Sequence, residues 1–253
     1  MNIFKELQNK FDHVFMLNLS TRKDRLDTMI KQLKEFGLPD NFRQTDLDIR
    51  FTVPFKKYNE VMMYVLNKNK IGKLTKPNEY DCTHNHYSMI KQAFDHGYDY
   101  CLIIEDDIRF IKDEEIWKKY LENIPDDFDI LQFGGFTADP KAKKYLESGL
   151  GCWVKHPEFG LWTTSMYALS RKGMEYYLNF IDYFLWVADG PLYKASMDKP
   201  SLNTYMATTP LVIQEDKNVD PSDIRDKQND DIDYNTQNIY ESKVNRKDYW
   251  SAN

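Results

Sequence analysis

The stretch YDYCLIIEDDIRF, Tyr98 to Phe110, sets the reading of the whole chain. Cys101, Leu102, Ile103 and Ile104 make a short apolar run of the kind that forms a strand buried on both faces. The run stops abruptly in three carboxylates, Glu105, Asp106 and Asp107, before Ile108 and Phe110 resume an alternating pattern. Adjacent carboxylates repel, so clustering them at the end of a buried strand is costly unless a cation sits among them. Hard oxygen ligands at that density suit Mg²⁺ or Mn²⁺, commonly with a phosphate completing the shell. In an open α/β sheet the carboxyl end of a strand is also where ligands bind. The plainer reading is a solvated acidic turn after a core strand, and the triplet alone does not decide between them.

The rest of the chain narrows the choice. A length of 253 residues suits one large α/β domain or two small ones and can bury a substantial core. The net charge of −6 argues against non-specific nucleic-acid binding. Hydrophobic content of 42% with 15% aromatics describes a globular chain and not a disordered one. No apolar run approaches the ~18 residues of a membrane span, and MNIFKELQNKFD lacks a signal-peptide core. Cys82, Cys101 and Cys152 form no metal-binding pattern. Reduced thiols in a cytoplasmic protein are the simplest account of them.

His13 to Leu19 (HVFMLNL) reads as the first strand. Ser20 or Thr21 then caps a helix, with Asp24 three residues after Thr21 in capping-box spacing. Leu26, Met29, Ile30 and Leu33 give that helix one buried stripe, and Gly37 and Pro39 end it. The turn between strand and helix carries Asn18, Arg22 and Arg25 without a glycine-rich fingerprint, so neither a Walker A loop nor a dinucleotide motif is present. A second strand is expected within Phe42 to Val53, and a helix around Glu60 to Leu66 precedes a Lys/Asn-rich loop. Cys82 to His96 reads as a helix with Thr83 near its cap and Gly97 past its end. His86, Ile90 and Ala93 point His86 toward the buried side, as a hydrogen-bonded core histidine or a ligand. His84 faces elsewhere, so the two histidines cannot share a metal from a regular helix.

Downstream, Glu114 to Asn123 reads as a helix and Phe128 to Phe133 as a strand ending in Gly134-Gly135, a tight turn or a close approach to a ligand. Residues 137–160 read as a long surface loop of the kind that forms lids or acceptor-binding segments. Thr163 to Ser170 is a strand running into a helix from Arg171. Asp189, before Gly190-Pro191, is either a helix cap or a carboxylate oriented for chemistry. Met206 to Gln214 supplies a last strand. From Glu215 onward, ten acidic and six basic residues with few large aliphatics form a polar, partly ordered extension. The domain division is therefore 1–214 and 215–253.

Taken in order, these pieces resemble glycosyltransferase family 25, from about Val14 to Ile224. FMLNLSTRKDR is similar to the family's opening strand and Asn-Leu turn, carried by Asn18, Leu19, Arg22 and Arg25. CTHNHYSMIKQAF resembles its Cys-x-x-Ser-His helix, with Cys82 and His86 on the motif and Asn85 where the family has Ser. CLIIEDDIRF is similar to its metal and nucleotide-sugar strand. MYALSRKG resembles its Ala-Tyr-Leu-Ile-Ser-Arg segment, with Tyr167, Ser170 and Arg171. The Asp189 turn, PLVIQ ending at Gln214, and PSDI resemble its later motifs.

The resemblance implies a GT-A-like α/β domain whose mixed central sheet is flanked by helices. It implies an inverting transfer of a hexose, galactose or glucose, from a UDP-sugar to a glycan, lipid-linked or protein hydroxyl, with Mn²⁺ or Mg²⁺. Asp107, then Asp106 and Glu105, would be the direct or water-mediated metal ligands. Asp189 would be the catalytic base. Asn18, Leu19, Arg22, Arg25, His86, Glu105, Asp106 and Gln214 would line the donor. A cytoplasmic location, peripheral to a membrane for a lipid-linked acceptor, goes with that assignment. A nucleotidyltransferase or sugar-nucleotide hydrolase also uses clustered carboxylates, but usually shows a phosphate loop that is missing near this N-terminus. A non-catalytic module that keeps the fold is the alternative from another class.

Overall fold

The computed structural model describes residues 2–52, 77–137, 139–147, 151–155, 159–181, 187–197, 201–215 and 245–250. The expected helix around Glu60 to Leu66, the PSDI segment and most of the polar extension lie outside the described residues.

Strands β1 (His13–Leu19) and β3 (Tyr100–Glu105) pair in parallel in the interior of the sheet. Their alternation is what buries both faces. Val14, Met16, Leu102 and Ile104 enter one core, while Phe15, Leu17, Cys101 and Ile103 enter the other. The first core is closed by α1 (Ile3–Lys10), α2 (Lys23–Glu35) and, after the sheet residues, α4 (Glu114–Glu122). The second is closed by α3 (Pro77–Asp95), through Met89, Ile90 and Ala93, and by α6 (Arg171–Phe180), through Met174 and Tyr177.

Parallel to β1 on its outer side runs β2 (Asp48–Thr52). Beyond β3 come β5 (Ile130–Gln132), β6 (Trp153–Lys155), β7 (Met166–Ser170) and β8 (Thr204–Ala207). Among the described residues the seven strands take the order β2-β1-β3-β7-β5-β8-β6. Only β7 and β6 run against the other five, so the sheet is mixed. A separate ribbon pairs β4 (Ile108–Phe110) with β9 (Val212–Gln214). Two further helices, α5 (Ala142–Glu147) and α7 (Gly190–Met197), complete the described elements apart from a 3-10 turn at Arg246–Asp248.

Several local expectations are corrected. The N-cap of α2 is Arg22, not Ser20 or Thr21, and its side chain makes no cap bond. Arg22 instead chelates Asp24, at 2.7 Å from Nη2. Helix α3 starts at Pro77, so Thr83 lies inside it and not near its cap. The segment 137–160 is not all loop, because α5 and the edge strand β6 fall within it. Met206 to Gln214 is two strands in two sheets, separated around Pro210. Gly134 serves a close approach to protein and not to a ligand, since a Cβ there would run into the Val212 carbonyl. Near the C-terminus Tyr249 is buried in the first core, bridging Ile111 and donating its hydroxyl to Pro210 O. No helix among the described residues is long and apolar enough to cross a membrane.

Candidate active site

The carboxyl ends of β1 and β3 lie side by side, and the acidic triplet meets the β1–α2 turn there. Asn18, the last fully buried residue of β1, donates its side-chain amide to Asp106 Oδ2 at 2.6 Å and to Arg22 O at 3.2 Å. The Leu19 N–H donates to the same Asp106 oxygen at 3.2 Å. Arg25, one turn into α2 and buried, donates Nη1 to Asp106 Oδ1 at 3.3 Å and stands 3.8 Å from Asp107 Oδ2. Burial pushes the Asp106 carboxyl up to about 6; Arg25, Leu19 N–H and Asn18 oppose the rise, and neighbouring Glu105 adds to it. Asp106 is thus enclosed by the turn it fastens. Asp107, with a side chain 23% exposed, is the most open of the three.

Glu105 faces the other way. Its Oε1 accepts from the Thr164 hydroxyl and meets His86 Nε2 at 3.1 Å. The second nitrogen of His86, Nδ1, meets the Tyr167 hydroxyl at 2.8 Å. Burial would raise the Glu105 carboxyl, but the His86 and Thr164 bonds and Arg25 outweigh it and hold the group below the usual range. Burial pushes the Tyr167 phenol well up. Facing a carboxylate, Nε2 of His86 is the donor to Glu105, while at Nδ1 the Tyr167 hydroxyl can serve in either direction. His86 is therefore a hydrogen-bonded core histidine that also braces the carboxylate motif.

Asp189 approaches the same region from the turn before α7. Its Oδ2 accepts from the Thr163 N–H at 2.9 Å. Thr163 holds φ at +84°, a left-handed backbone that a β-branched residue adopts only when its surroundings force it. The Thr163 hydroxyl meets Ser165 Oγ at 2.8 Å, and Tyr177 donates to Ala188 O at 2.7 Å, so both sides of the turn are tied. Cys82 on α3 is within electrostatic reach of both groups. Burial raises its thiol well above the ordinary value, and Glu105, Asp189, Asp107 and Asp81 add to the rise in that order. Asp189 is tied through Thr163 to the segment whose Thr164 hydroxyl bonds Glu105.

Gln214 arrives through the β4–β9 ribbon, where it pairs with Ile108. The next residue, Glu215, donates its N–H to Asp107 O at 2.8 Å and its carboxylate pairs with the buried Arg109. The fold thus collects Asn18, Leu19, Arg25, His86, Glu105, Asp106, Asp107 and Asp189 at one end of the sheet, with Gln214 next to them. Arg22 is engaged with Asp24. Sequence reasoning missed Thr163 and Thr164, which carry no pattern of their own. It also missed that Cys82, His86 and Glu105 bring ligand atoms within 4.8 Å of one another, a grouping that the spacing of the three cysteines does not show. The spacing Cys82-x-x-x-His86 on one helical face was the available signal.

A mixed sheet flanked by helices, with polar groups gathered at its carboxyl edge, defines a GT-A-like glycosyltransferase domain. The chain belongs to glycosyltransferase family 25, whose family model (described as LPS biosynthesis protein) matches residues 11–148. Human procollagen galactosyltransferase 2 is 32% identical over 130 residues, covering 48% of this chain and 19% of that protein. The mouse protein of the same name is 30% identical over 130 residues, with the same 48% and 19% coverage. Zebrafish procollagen galactosyltransferase 1 is 28% identical over 180 residues, 65% of this chain and 28% of that protein. The chain therefore spans well under a third of these relatives. The family match ends before Thr163 and Asp189, so what is said of those residues rests on geometry.

Proposed function

We propose that the chain transfers a hexose, galactose in the first instance, from a UDP-sugar to an acceptor hydroxyl with inversion. The observation that carries this reading is the convergence of the Asn18–Arg25 turn and the Glu105–Asp107 triplet, with Asp189 tied through Thr163 to the segment that bonds Glu105. The names of the relatives favour galactose as the sugar and a hydroxyl on protein as the acceptor.

The roles divide by environment. Asp106 is a positioning carboxylate, held by Asn18, Leu19 and Arg25, and it fixes the turn on which a nucleotide would lie. The N-terminus of α2 opens at that turn, and a helix N-terminus favours phosphate. The donor set fits a hard divalent cation such as Mn²⁺: oxygen-only, negatively charged and open at Asp107. Asp107 would hold the ion directly, with Asp106 and Glu105 acting through water. Such a cation offsets the charge that develops on a pyrophosphate leaving group. Asp189, held by Thr163 N–H away from the triplet's own hydrogen bonds, takes the proton of the acceptor hydroxyl as that oxygen bonds to the sugar carbon and UDP leaves from the opposite face. One such base and one displacement give inversion.

The test is release of UDP from UDP-galactose, UDP-glucose and UDP-N-acetylglucosamine, each with Mn²⁺ and with hydroxylysine peptides or glycans as acceptors. The expected result is acceptor-stimulated release, fastest with UDP-galactose and lost on chelation. Release that is equal with and without every acceptor would make the chain a hydrolase, and the transfer reading would fall.

A further inference from the structure

Cys82 and His86 sit four residues apart on α3, so their side chains leave one helical face. Glu105 ends β3 opposite them. Among the described residues these three form the one Cys/His/Asp/Glu group whose ligand atoms all lie within 4.8 Å of one another. Cys82 is half-buried and His86 fully buried. Its outer partners are also in place. Tyr167 hydroxyl fixes His86 from the far nitrogen at 2.8 Å, and Thr164 hydroxyl fixes Glu105. Ligating histidines ordinarily have such a partner on the second nitrogen.

We propose that Cys82, His86 and Glu105 form a binding site for a soft divalent cation, Zn²⁺ first, distinct in chemistry from the oxygen set led by Asp107, with which it shares Glu105. Thiolate, imidazole and carboxylate together select Zn²⁺ or Co²⁺ over Mn²⁺ and Mg²⁺. Three protein ligands leave a fourth position for water. The cation takes the place of the proton between His86 Nε2 and Glu105 Oε1. That proton moves to Nδ1, which then donates to the Tyr167 oxygen, since a hydroxyl serves either direction. Cys82 yields its thiol proton to solvent, so one proton leaves per ion bound. The four carboxylates around Cys82 disfavour a bare thiolate, and the same negative field attracts a cation. The inference stands on this geometry and not on the proposed transfer reaction.

Titration of the full chain with Co²⁺ tests it, because a cobalt–thiolate bond gives a near-ultraviolet charge-transfer band whatever the enzyme's activity. The expected result is a band that saturates at one equivalent, is bleached by Zn²⁺ and survives excess Mg²⁺. Cys82→Ser should lose the band while keeping the wild-type circular dichroism spectrum, and Cys152→Ser should retain it. Absence of the band from the wild type would overturn the proposal without any variant. Persistence of the band in Cys82→Ser would overturn it equally, by moving the thiolate elsewhere.

Discussion

Asn18 and Asp106 stand 88 residues apart in the chain, and their side chains meet at 2.6 Å. That bond joins the first turn of the domain to its acidic motif, and Leu19 N–H and Arg25 complete the enclosure of the carboxylate. A buried carboxylate that loses a donor keeps its desolvation cost, about 1–3 kcal/mol. Asn18→Ala should therefore lower the melting temperature, at about 2–4 °C per kcal/mol for a chain of this size. An unchanged midpoint in a thermal melt would show that the bond does not hold the turn.

Thr163 pays backbone strain to present its N–H to Asp189. Such a conformation costs on the order of 1–3 kcal/mol. Thr163→Gly removes the strain but adds unfolded-state freedom, about 0.5–1 kcal/mol, and loses the bond to Ser165. We expect its stability within about 1 kcal/mol of wild type and its turnover preserved. Thr163→Pro cannot reach positive φ and has no N–H, so it should cost ~3 kcal/mol or more and abolish turnover. A proline variant as stable and active as wild type would refute the role given to this backbone.

Asp189→Asn separates binding from chemistry. The amide keeps the shape and the acceptor oxygen for Thr163 N–H, but it cannot take a proton. Turnover should fall by about 10²–10⁴-fold while UDP affinity stays unchanged. Full activity in a UDP-release assay would remove Asp189 as the base.

Away from the site, Asp48 on β2 predicts a pH dependence. Burial alone would raise its carboxyl, but bonds from Gln44 at 2.9 Å, Arg50 at 2.5 Å and His13 at 3.2 Å hold it below the usual range. A depressed folded value means the stability it contributes is complete above the unfolded value of about 4. It is lost as pH falls through the folded value. Wild type should outlast Asp48→Asn in melts from pH 5 to 7, with the difference narrowing below about pH 4. A gap that widens in acid would contradict the sign.

Much of this was legible in the sequence because local pattern and burial agree. The run Cys101–Ile104 reads as a doubly buried strand, and each residue does enter one of the two cores. His86 falls on the apolar stripe of its helix and is buried there. Other features were decided by tertiary partners. Helix α2 is capped at Arg22 and starts at Lys23 because the strand's last residues are committed to Asp106, leaving Ser20 and Thr21 outside the helix. The edge strand β6 exists because Trp153 and Val154 find β8, a pairing that local propensity in a lysine- and glycine-rich stretch does not announce. The strained Thr163 and the bond from Thr164 to Glu105 bridge segments 26 and 59 residues apart, which no short motif encodes.

The claim at the centre of this account is that a nucleotide lies on the carboxyl end of β3 beside Asp107. Calorimetric titration of UDP, with and without Mn²⁺, into wild type and Asp107→Asn tests it most directly. Asp107 is partly exposed, so its amide variant should fold and melt within about 1 kcal/mol of wild type. The account predicts one-site UDP binding that requires Mn²⁺ in the wild type and disappears in the variant. Equal UDP affinity in both proteins, with or without Mn²⁺, would contradict it and move the nucleotide away from this strand.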